Sequence, residues 1–256
     1  MIAVILAGGF GTRIAEETSV RPKPMVEIGG KPILWHIMKG YSFHGINRFV
    51  VLVGYRGDDI RQFFANYHLS EADVTFDLTS ASAERHSSNV EPWQVTVVET
   101  GLNALTGGRL RRARPYLEAG TFCLTYGDCV SNVDVPALID FHRRSGAEVT
   151  LTAVQPPGRF GAIRIGEGGE ISAFHEKPKG DGAWVNGGFF VVEPSALDVI
   201  DGDDVAWEGE PLQRIAHRGG LRAYRHTSYW QNLDTLRDKA VLEAEWASPS
   251  PGWKLW

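Results

Sequence analysis

Only two of the 256 residues are cysteines, Cys123 and Cys129. They lie on one predicted strand and at its end, where six residues of extended chain hold them roughly 20 Å apart. That distance is too long for one disulfide or one shared metal ion. The scarcity of cysteine argues against a disulfide framework, and a reducing compartment, the cytoplasm, is expected.

The sequence also lacks a long hydrophobic run and an excess of basic residues. The first apolar run, in MIAVILAGGFGTR, covers only about seven residues and has no basic region before it, so it predicts a first strand and neither a signal peptide nor a membrane span. With 26 Lys and Arg against 31 Asp and Glu, the formal net charge is −5. We therefore expect no membrane and no nucleic-acid partner, although a local anion pocket stays possible.

Two common catalytic signatures are missing as well. The eight histidines show no metal-ligand spacing such as H-E-x-x-H. No serine lies in a G-x-S-x-G elbow. Histidine-ligated metal sites and serine acyl transfer therefore have no support in this chain.

What the sequence does contain is an alternation of buried strands and amphipathic helices through its first 154 residues. Strands are predicted over 2–6, 48–53, 95–99, 121–126 and 149–154, and helices over 32–43, 58–67 and 135–144. Continuous apolar strands that alternate with helices across short glycine-marked turns are typical of parallel sheets. The pattern predicts an α/β fold with a mostly parallel, open sheet and helices on both faces.

The pattern changes from about residue 155. Short strands over 160–165, 171–174 and 188–192 alternate with Gly/Pro-rich turns, which favours antiparallel pairing, and helices are predicted over 194–200 and 234–246. Because one core can serve 256 residues, we predict a single domain, 1–256, with portions 1–154 and 155–256. Trp93, Trp230, Trp253 and Trp256 lie outside the predicted strands and are candidates for an oligomer interface.

The segment LAGGFGTR, from Leu6 to Arg13, suggests a binding loop. Its glycines let a ligand approach the backbone closely, with N–H groups turned toward phosphate oxygens. The last glycine of a dinucleotide fingerprint is missing and no G-K-[ST] follows, which excludes dinucleotide-binding and P-loop motifs. Arg13, and Lys23 held between two prolines, would complete a triphosphate cradle. The alternative is a glycine turn beside two solvated cations.

Asp128 follows the strand 121–126 in the segment TYGDCV. Three interpretations are open: a catalytic carboxylate, a cysteine-based site at Cys129, or a strand-end cap. No activating base pairs with the cysteine in the sequence, so Cys129 is not a nucleophile candidate. In TGGR, at 106–109, glycines could let a base approach and Thr106 offers a hydroxyl; an ordinary turn is the alternative.

Many short motifs, in order along nearly the whole chain, carry a family resemblance. They are LAGGFGTR, RPKPMVEIGGKPILWHIM, GYRG at 54–57, TGGR at 106–109, TYGD at 125–128, PPGRFGA at 156–162, EKPKGDGA at 176–183, NGGFFV at 186–191 and DTLRDK at 234–239. On these motifs the chain resembles the sugar-1-phosphate nucleotidyltransferases, and within them the cytidylyl branch. The resemblance implies a Rossmann-like, GT-A-like fold with nucleotide binding in 1–154 and sugar-phosphate binding, with C-terminal helices, in 155–256.

The resemblance also implies the reaction and its participants. A sugar 1-phosphate, here glucose 1-phosphate, attacks the α-phosphorus of CTP in line and pyrophosphate leaves, so that CDP-glucose forms for deoxysugar or O-antigen synthesis. Such chemistry depends on positioning and charge neutralisation. A Mg²⁺ ion that bridges the phosphates needs few carboxylate ligands. A homo-oligomer, in which a neighbouring chain helps complete the nucleotide site, is implied too.

The residue roles follow from the same resemblance. The implied nucleotide-binding residues are Leu6, Ala7, Gly8, Gly9, Gly11, Thr12, Arg13, Lys23, Thr106, Gly107, Arg109 and Asp128. Asp128 and Asp234 are the implied Mg²⁺ ligands. The implied sugar-phosphate residues are Gly161, Glu176, Lys177 and Asn186; for Glu176 and Lys177, a surface ion pair is the alternative. Arg13, Lys23, Asp128 and Lys177 are the implied catalytic residues.

Two positions depart from the family pattern, and each lies beside an implied metal ligand. Cys129 stands where glycine is usual, and Asn232 stands where proline is usual. Both leave the ligands intact but put the substrate, more than the reaction, in doubt. The alternatives are therefore another sugar 1-phosphate, a phosphonate acceptor or another NTP and, from a different class, a non-catalytic regulatory subunit that binds a nucleotide sugar.

Overall fold

The structure is a computed structural model that describes residues 1–88, 90–156, 162–165, 170–175 and 183–256. Its strands are β1 (Ala3–Ala7), β2 (Glu27–Ile28), β3 (Lys31–Pro32), β4 (Arg48–Val53), β5 (Ala72–Asp77), β6 (Ser82–Ser88), β7 (Gln94–Glu99), β8 (Phe122–Tyr126), β9 (Cys129–Ser131), β10 (Val149–Val154), β11 (Ala162–Ile165), β12 (Ile171–His175), β13 (Val185–Val192), β14 (Leu221–Arg225) and β15 (Trp230–Asn232). Its α-helices are α1 (Ala15–Thr18), α2 (Ile33–Phe43), α3 (Gly57–Ser70), α4 (Thr106–Ala113), α5 (Val135–Ser145), α6 (Glu210–His217) and α7 (Leu236–Trp246). Short 3₁₀ turns cover Thr12–Ile14, Lys23–Met25, Arg114–Tyr116 and Pro194–Val199.

A seven-stranded sheet, in the order β14–β10–β13–β8–β1–β4–β7, forms the centre of the fold. The strands β8, β1, β4 and β7 are parallel to one another, and β10 is parallel to β14. Only β13 runs antiparallel to its neighbours, β8 and β10. The prediction of a mixed α/β fold with a mostly parallel sheet is confirmed.

Helices cover both faces of this sheet because its central strands are apolar on both sides. Along β1, Ala3, Ile5 and Ala7 belong to one buried cluster, with side chains of α2, α3, α5 and α7. Val4 and Leu6 belong to the other cluster, with side chains of α4 and α6. This two-residue alternation within a continuous apolar run is typical of a parallel strand buried on both faces.

The carboxyl ends of the parallel strands share one edge of the sheet. There β1 continues into Gly8, β4 into Gly54 and β8 into Gly127. Crevices at this edge are where open α/β sheets bind ligands. The fold therefore places the glycine loop and TYGD segment side by side.

Several elements differ from the sequence-based expectations. The strand expected over 188–192 belongs to the central sheet, and β14 adds a parallel strand beyond β10, so strands from both sides of residue 154 share one sheet. The separate antiparallel pairing is the β11–β12 hairpin. A second hairpin, β5–β6, was not expected: β5 alternates apolar and polar residues, but most of its residues are exposed and its partner β6 is almost entirely polar. Part of the strand expected over 160–165 lies outside the described residues.

An aromatic cluster surrounds His36 on α2. The rings of Trp35, Trp246, Trp253 and Trp256 all lie within 6.4 Å of the imidazole, centroid to centroid. Trp253 is 1% exposed, so its suggested role at an interface is wrong: it is core, because the C-terminal segment folds back onto α2. The His36 Nε2–H donates to the Ile28 carbonyl at 2.9 Å, and Nδ1 accepts from the Trp253 indole at 3.4 Å.

The buried His36 makes the stability of the fold depend on pH. Burial lowers the pKa of His36 from 6.5 to about 4, so between these values the unfolded chain takes up the proton first. The contribution of neutral His36 to the free energy of unfolding is therefore fully present above pH 6.5 and is lost as the pH falls toward 4. Between pH 7 and pH 5 the free energy of unfolding, measured with urea, should fall by about 2 kcal/mol less in His36→Gln than in the wild type.

The matched control for this prediction is His217→Gln, because His217 is exposed near the end of α6. It should keep the wild-type dependence of stability on pH. An unchanged dependence in His36→Gln would contradict the assignment of this effect to His36.

Candidate active site

The pairing of two short strands brings Asp128 and Asp234 together. In the β9–β15 pair, Cys129 lies opposite Asn232. The Leu233 N–H extends the pairing by donating to the Asp128 carbonyl at 2.8 Å. Two residues that are 106 positions apart in the chain thus lie at the same end of one ribbon.

The two carboxylates converge on one ammonium group. Lys23 Nζ donates to Asp128 Oδ2 at 2.7 Å and to Asp234 Oδ1 at 2.5 Å. Lys23 is 9% exposed and begins the 3₁₀ turn Lys23–Met25, with Pro22 just before it and Pro24 just after it. Because both prolines fix their φ angles, this turn presents the lysine with little loss of conformational entropy.

The charges of this triad hold one another in place. Burial alone would lower the pKa of Lys23, but the charges and hydrogen bonds of Asp128 and Asp234 outweigh it and raise the pKa. Burial alone would raise the pKa of Asp234, whereas the hydrogen bond and charge of Lys23, then Arg13 and Asn232, lower it overall. Lys23 therefore stays cationic and Asp234 stays anionic at neutral pH.

The glycine loop curves over this triad. Gly11 has φ +66°, a left-handed conformation that favours glycine, and the Thr18 hydroxyl donates to its carbonyl at 3.0 Å. The turn Thr12–Ile14 then projects Arg13, whose Nη1 donates to Asp234 Oδ2 at 2.7 Å while 74% of its side chain is exposed. A second cation thus lies beside Asp234 and open to solvent.

A cleft of about 330 Å³ opens beside the loop. It is lined by Leu6, Ala7, Gly8, Gly9, Phe10, Gly11, Thr12, Arg13, Lys23, Pro24, Leu102, Asn103, Ala104, Leu105, Thr106, Arg109, Tyr126, Gly127 and Asp128. This lining includes each residue proposed to bind nucleotide except Gly107. The size suits a small ligand of the nucleotide class.

The TGGR segment is the first turn of α4, so it is neither a free loop nor an ordinary turn. A Cβ at Gly107 would lie 2.6 Å from the Val205 carbonyl oxygen, and one at Gly108 would lie 2.2 Å from that of Asp203. These glycines allow close packing of α4 against the protein's own backbone. Gly107 lies outside the cleft lining, so the structure does not bring it to the proposed nucleotide site.

Arg109 is 4% exposed and braces the floor of the cleft. Its Nη2 donates to the Gly8 carbonyl at 2.9 Å and to the Leu102 carbonyl at 3.3 Å. Its Nη1 donates to the Thr100 hydroxyl at 2.6 Å, with further bonds to Val53 and Gly101. Burial lowers its pKa from the ordinary value. Because a guanidinium keeps its proton in proteins, Arg109 fixes the backbone around the cleft as a buried cation.

Sequence reasoning missed two residues at the cleft, Tyr126 and Glu208. The Tyr126 hydroxyl donates to Glu208 Oε1 at 2.6 Å and accepts from Asn186 Nδ2 at 3.1 Å. The Thr106 hydroxyl donates to the other oxygen of Glu208 at 2.6 Å. Tyr126 stood within the TYGD motif, whereas Glu208 had no local signal.

The two departures from the family pattern have different surroundings. Cys129 is 2% exposed, belongs to the core and directs Sγ toward the Gly187 carbonyl at 3.8 Å, away from the cleft lining. Burial raises its pKa, so it does not supply a thiolate. Asn232, by contrast, donates from Nδ2 to Asp234 Oδ2 at 2.8 Å and so contacts the implied metal ligand.

The donor set at this site fits Mg²⁺. Asp128 and Asp234, which both contact Lys23 Nζ, offer hard carboxylate oxygens, and Mg²⁺ commonly takes one or two protein carboxylates beside waters and substrate phosphates. Among the residues that the structure describes, no three His, Cys, Asp or Glu side chains cluster as a metal cage. The arrangement therefore suits an ion shared with a substrate better than a closed structural site.

The remaining predicted residues separate into two groups. Asn186 lies on β13 and bonds to Tyr126 at the rim of the cleft. Gly161, Glu176 and Lys177 lie outside the described residues, so their roles stay predictions.

No helix among the described residues is long and apolar enough to cross a membrane.

Comparison with known proteins identifies close relatives. Residues 2–235 match the family model for nucleotidyl transferase. The chain is 55% identical to the glucose-1-phosphate cytidylyltransferase of Salmonella typhi, and 40% identical to a probable glucose-1-phosphate cytidylyltransferase of Bacillus subtilis, each over all of both chains. The solved structure of HddC from Yersinia pseudotuberculosis complexed with GMP-PN shares the fold with a TM-score of 0.70 and 21% identity, over 96% of this chain and 99% of that one.

The packing of α4 predicts a cost for adding one methyl group. Gly108→Ala should lower the free energy of unfolding by about 2 kcal/mol, because the backbone of Asp203 cannot give way. Gly40→Ala, on α2 with open space around its Cβ position, is the control and should be neutral or stabilising by up to about 1 kcal/mol. Urea unfolding measures both. A Gly108→Ala variant as stable as the wild type would contradict the packing role.

Proposed function

The chain belongs to the nucleotidyl transferase family, and from that membership we propose that it joins CTP to α-D-glucose 1-phosphate, giving CDP-glucose and pyrophosphate. The observation that carries the proposal is the convergence of Asp128 and Asp234 on Lys23 beneath the glycine loop. The choice of CTP and glucose 1-phosphate is supported by the relative that is 55% identical over the full length.

The chemistry is a single displacement at the α-phosphorus of CTP. An oxygen of the sugar phosphate forms the new P–O bond, and the bond to the β-phosphate bridging oxygen breaks, releasing pyrophosphate. Protein groups form no covalent bond in this scheme, so their contribution is positioning and charge neutralisation.

The residues around the cleft suit these two tasks. The backbone of Gly8, Gly9 and Gly11 offers N–H groups for phosphate oxygens. Lys23 and Arg13 would balance the negative charge that shifts toward the leaving pyrophosphate. Asp128 and Asp234 would hold a Mg²⁺ ion, which, when bound, neutralises phosphate charge and orients the two substrates. Lys177, with Glu176, Gly161 and Asn186, would hold the sugar phosphate.

Two alternatives keep a place beside this proposal. The same chemistry with another sugar 1-phosphate, a phosphonate or another NTP fits the same geometry. A non-catalytic regulatory subunit is a weaker candidate, because such a subunit would need neither the Lys23–Asp128–Asp234 triad nor the open Arg13.

The exposed Phe76 and Leu78 of the β5–β6 hairpin support a homo-oligomer. A solution mass above 28.2 kDa is expected for that assembly. The cytoplasm, expected from the scarcity of cysteine, stays a prediction.

A matrix of nucleotides against acceptors tests the proposed reaction. Pyrophosphate release with Mg²⁺ should be fastest for CTP with glucose 1-phosphate, and much slower with UTP, dTTP or GTP. The acceptor panel includes mannose 1-phosphate and a sugar phosphonate. A preference for another nucleotide would remove the cytidylyl assignment, and a preference for another acceptor would remove glucose 1-phosphate.

Variants of the triad are the control for this assay. Asp128→Asn and Lys23→Gln should lower kcat by roughly 100-fold or more, because each removes a charge that positions the phosphates. Asp140→Asn removes an exposed carboxylate on α5 and should leave kcat unchanged. Unchanged turnover in the triad variants would favour the regulatory subunit.

Asn232 should tune the affinity for the metal ion. The hydrogen bond from its side-chain amide orients the Asp234 carboxylate. Loss of such an orienting partner typically weakens metal binding 10- to 100-fold. We expect Asn232→Ala to raise the Kd for Mn²⁺, a paramagnetic substitute for Mg²⁺, at least tenfold when free Mn²⁺ is followed by electron paramagnetic resonance. Asn66→Ala, on α3, is the control. EDTA should abolish turnover and added Mg²⁺ should restore it; equal Mn²⁺ affinity in both variants would contradict the role of Asn232.

A further inference from the structure

Glu208 links two hydroxyl groups that line the cleft. It lies just before α6, and its two carboxylate oxygens accept from the Thr106 hydroxyl and the Tyr126 hydroxyl, each at 2.6 Å. Thr106 begins α4 and Tyr126 ends β8, so one carboxylate bridges the two elements on which these walls of the cleft depend.

The bonds of Glu208 determine where the two protons point. A carboxylate only accepts hydrogen bonds, so both hydroxyls must donate to Glu208. The Thr106 oxygen also accepts the Trp207 N–H at 2.9 Å, which leaves it one lone pair. The Tyr126 oxygen accepts from Asn186, whose amide is oriented because its Oδ1 accepts the Gly188 N–H at 2.9 Å.

These orientations are held rigidly. The Gly108 N–H donates to the Val205 carbonyl and the Leu105 N–H to the Asp203 carbonyl, so the backbone that carries Glu208 is bound to the start of α4. Trp207, the preceding residue, is 0% exposed. Burial and then the charge of Glu208 raise the pKa of Tyr126, so its phenol keeps its proton. The two hydroxyls are therefore fixed acceptors toward any ligand.

The charge of the cleft indicates which part of a nucleotide meets these hydroxyls. Lys23 and Arg13 mark the side suited to phosphates. The uncharged remainder, from Leu102 to Thr106 together with Tyr126, is left for the base. A group that faces the Thr106 oxygen must donate a hydrogen bond, because its only proton already points at Glu208.

We propose that Glu208 is a specificity-determining residue, which fixes the Thr106 hydroxyl as an acceptor and so selects a pyrimidine that carries an exocyclic amino group. The inference rests on the proposed use of CTP. Cytosine offers an amino donor at the ring position where uracil and thymine offer a carbonyl oxygen. A carbonyl there would face the lone pair of Thr106 with no proton between the two oxygens, and such a mismatch is a repulsive element against the wrong base.

The test compares kcat/KM for CTP and UTP in matched variants. Glu208→Ala frees the Thr106 hydroxyl to turn, and Thr106→Val removes it, so each should lower the CTP-to-UTP ratio at least tenfold. Because both act through one hydroxyl, the double variant should show no further fall. Thr106→Ser, which keeps the hydroxyl, and Glu210→Ala, which removes the exposed neighbouring carboxylate, should keep the wild-type ratio.

The outcomes separate this inference from the proposed function. A wild-type protein that does not prefer CTP overturns both. A wild-type protein that prefers CTP, with variants that keep the ratio, shift only the KM for glucose 1-phosphate, or combine additively, overturns the role of Glu208 and leaves the proposed function standing. If Glu208→Ala proves unstable, the CTP-to-UTP ratio of kcat/KM is measured in Thr106→Ser instead. A changed ratio in this conservative variant also counts against the inference.

Discussion

The bond of one lysine to two aspartates is the interaction on which the rest of the site depends. Lys23, Asp128 and Asp234 come from three distant segments, and their charges meet within 2.7 Å. Two carboxylates this close to each other would repel, and burial alone would lower the pKa of the ammonium. The two carboxylates raise the pKa of Lys23, and Lys23 in turn lowers the pKa of Asp234; folding delivers both carboxylates and a cation to one point before any ligand arrives.

A backbone pairing and one buried side chain hold the parts of the site in place. The β9–β15 ribbon aligns the two aspartates, and Arg109 binds the carbonyls of Gly8, Val53 and Gly101 from below. A buried guanidinium facing carbonyl dipoles stiffens the glycine loop without closing the cleft. It also adds positive charge beneath a site suited to anions, where a low dielectric strengthens its effect.

Local patterns predict the sheet well but predict contacts between distant segments poorly. The apolar runs of β1 and β4 allow only buried strands, and glycine after each strand marks the edge. Gly107 and Gly108 show the limit: a glycine permits close approach, but the sequence does not say whether a ligand or the chain's own backbone approaches. Glu208 shows the same limit of local sequence patterns. Its hydrogen-bond partners are 102 and 82 residues away, and nothing beside it in sequence indicates a site.

The two unusual residues beside the aspartates show that closeness in sequence to a site residue does not mean contact with the site. Cys129 follows Asp128 directly, yet the strand that begins there turns its side chain into the core, against Gly188. Asn232 is two residues from Asp234, at the end of β15, and its side-chain amide donates a hydrogen bond to the carboxylate. Cys129 and Asn232 are paired directly opposite each other, so strand pairing does not distinguish them; their side-chain contacts do, with Gly187 for the cysteine and with Asp234 for the asparagine. Substrate preference in this chain is therefore better sought at Asn232 and at the Thr106–Glu208–Tyr126 bridge than at the cysteine.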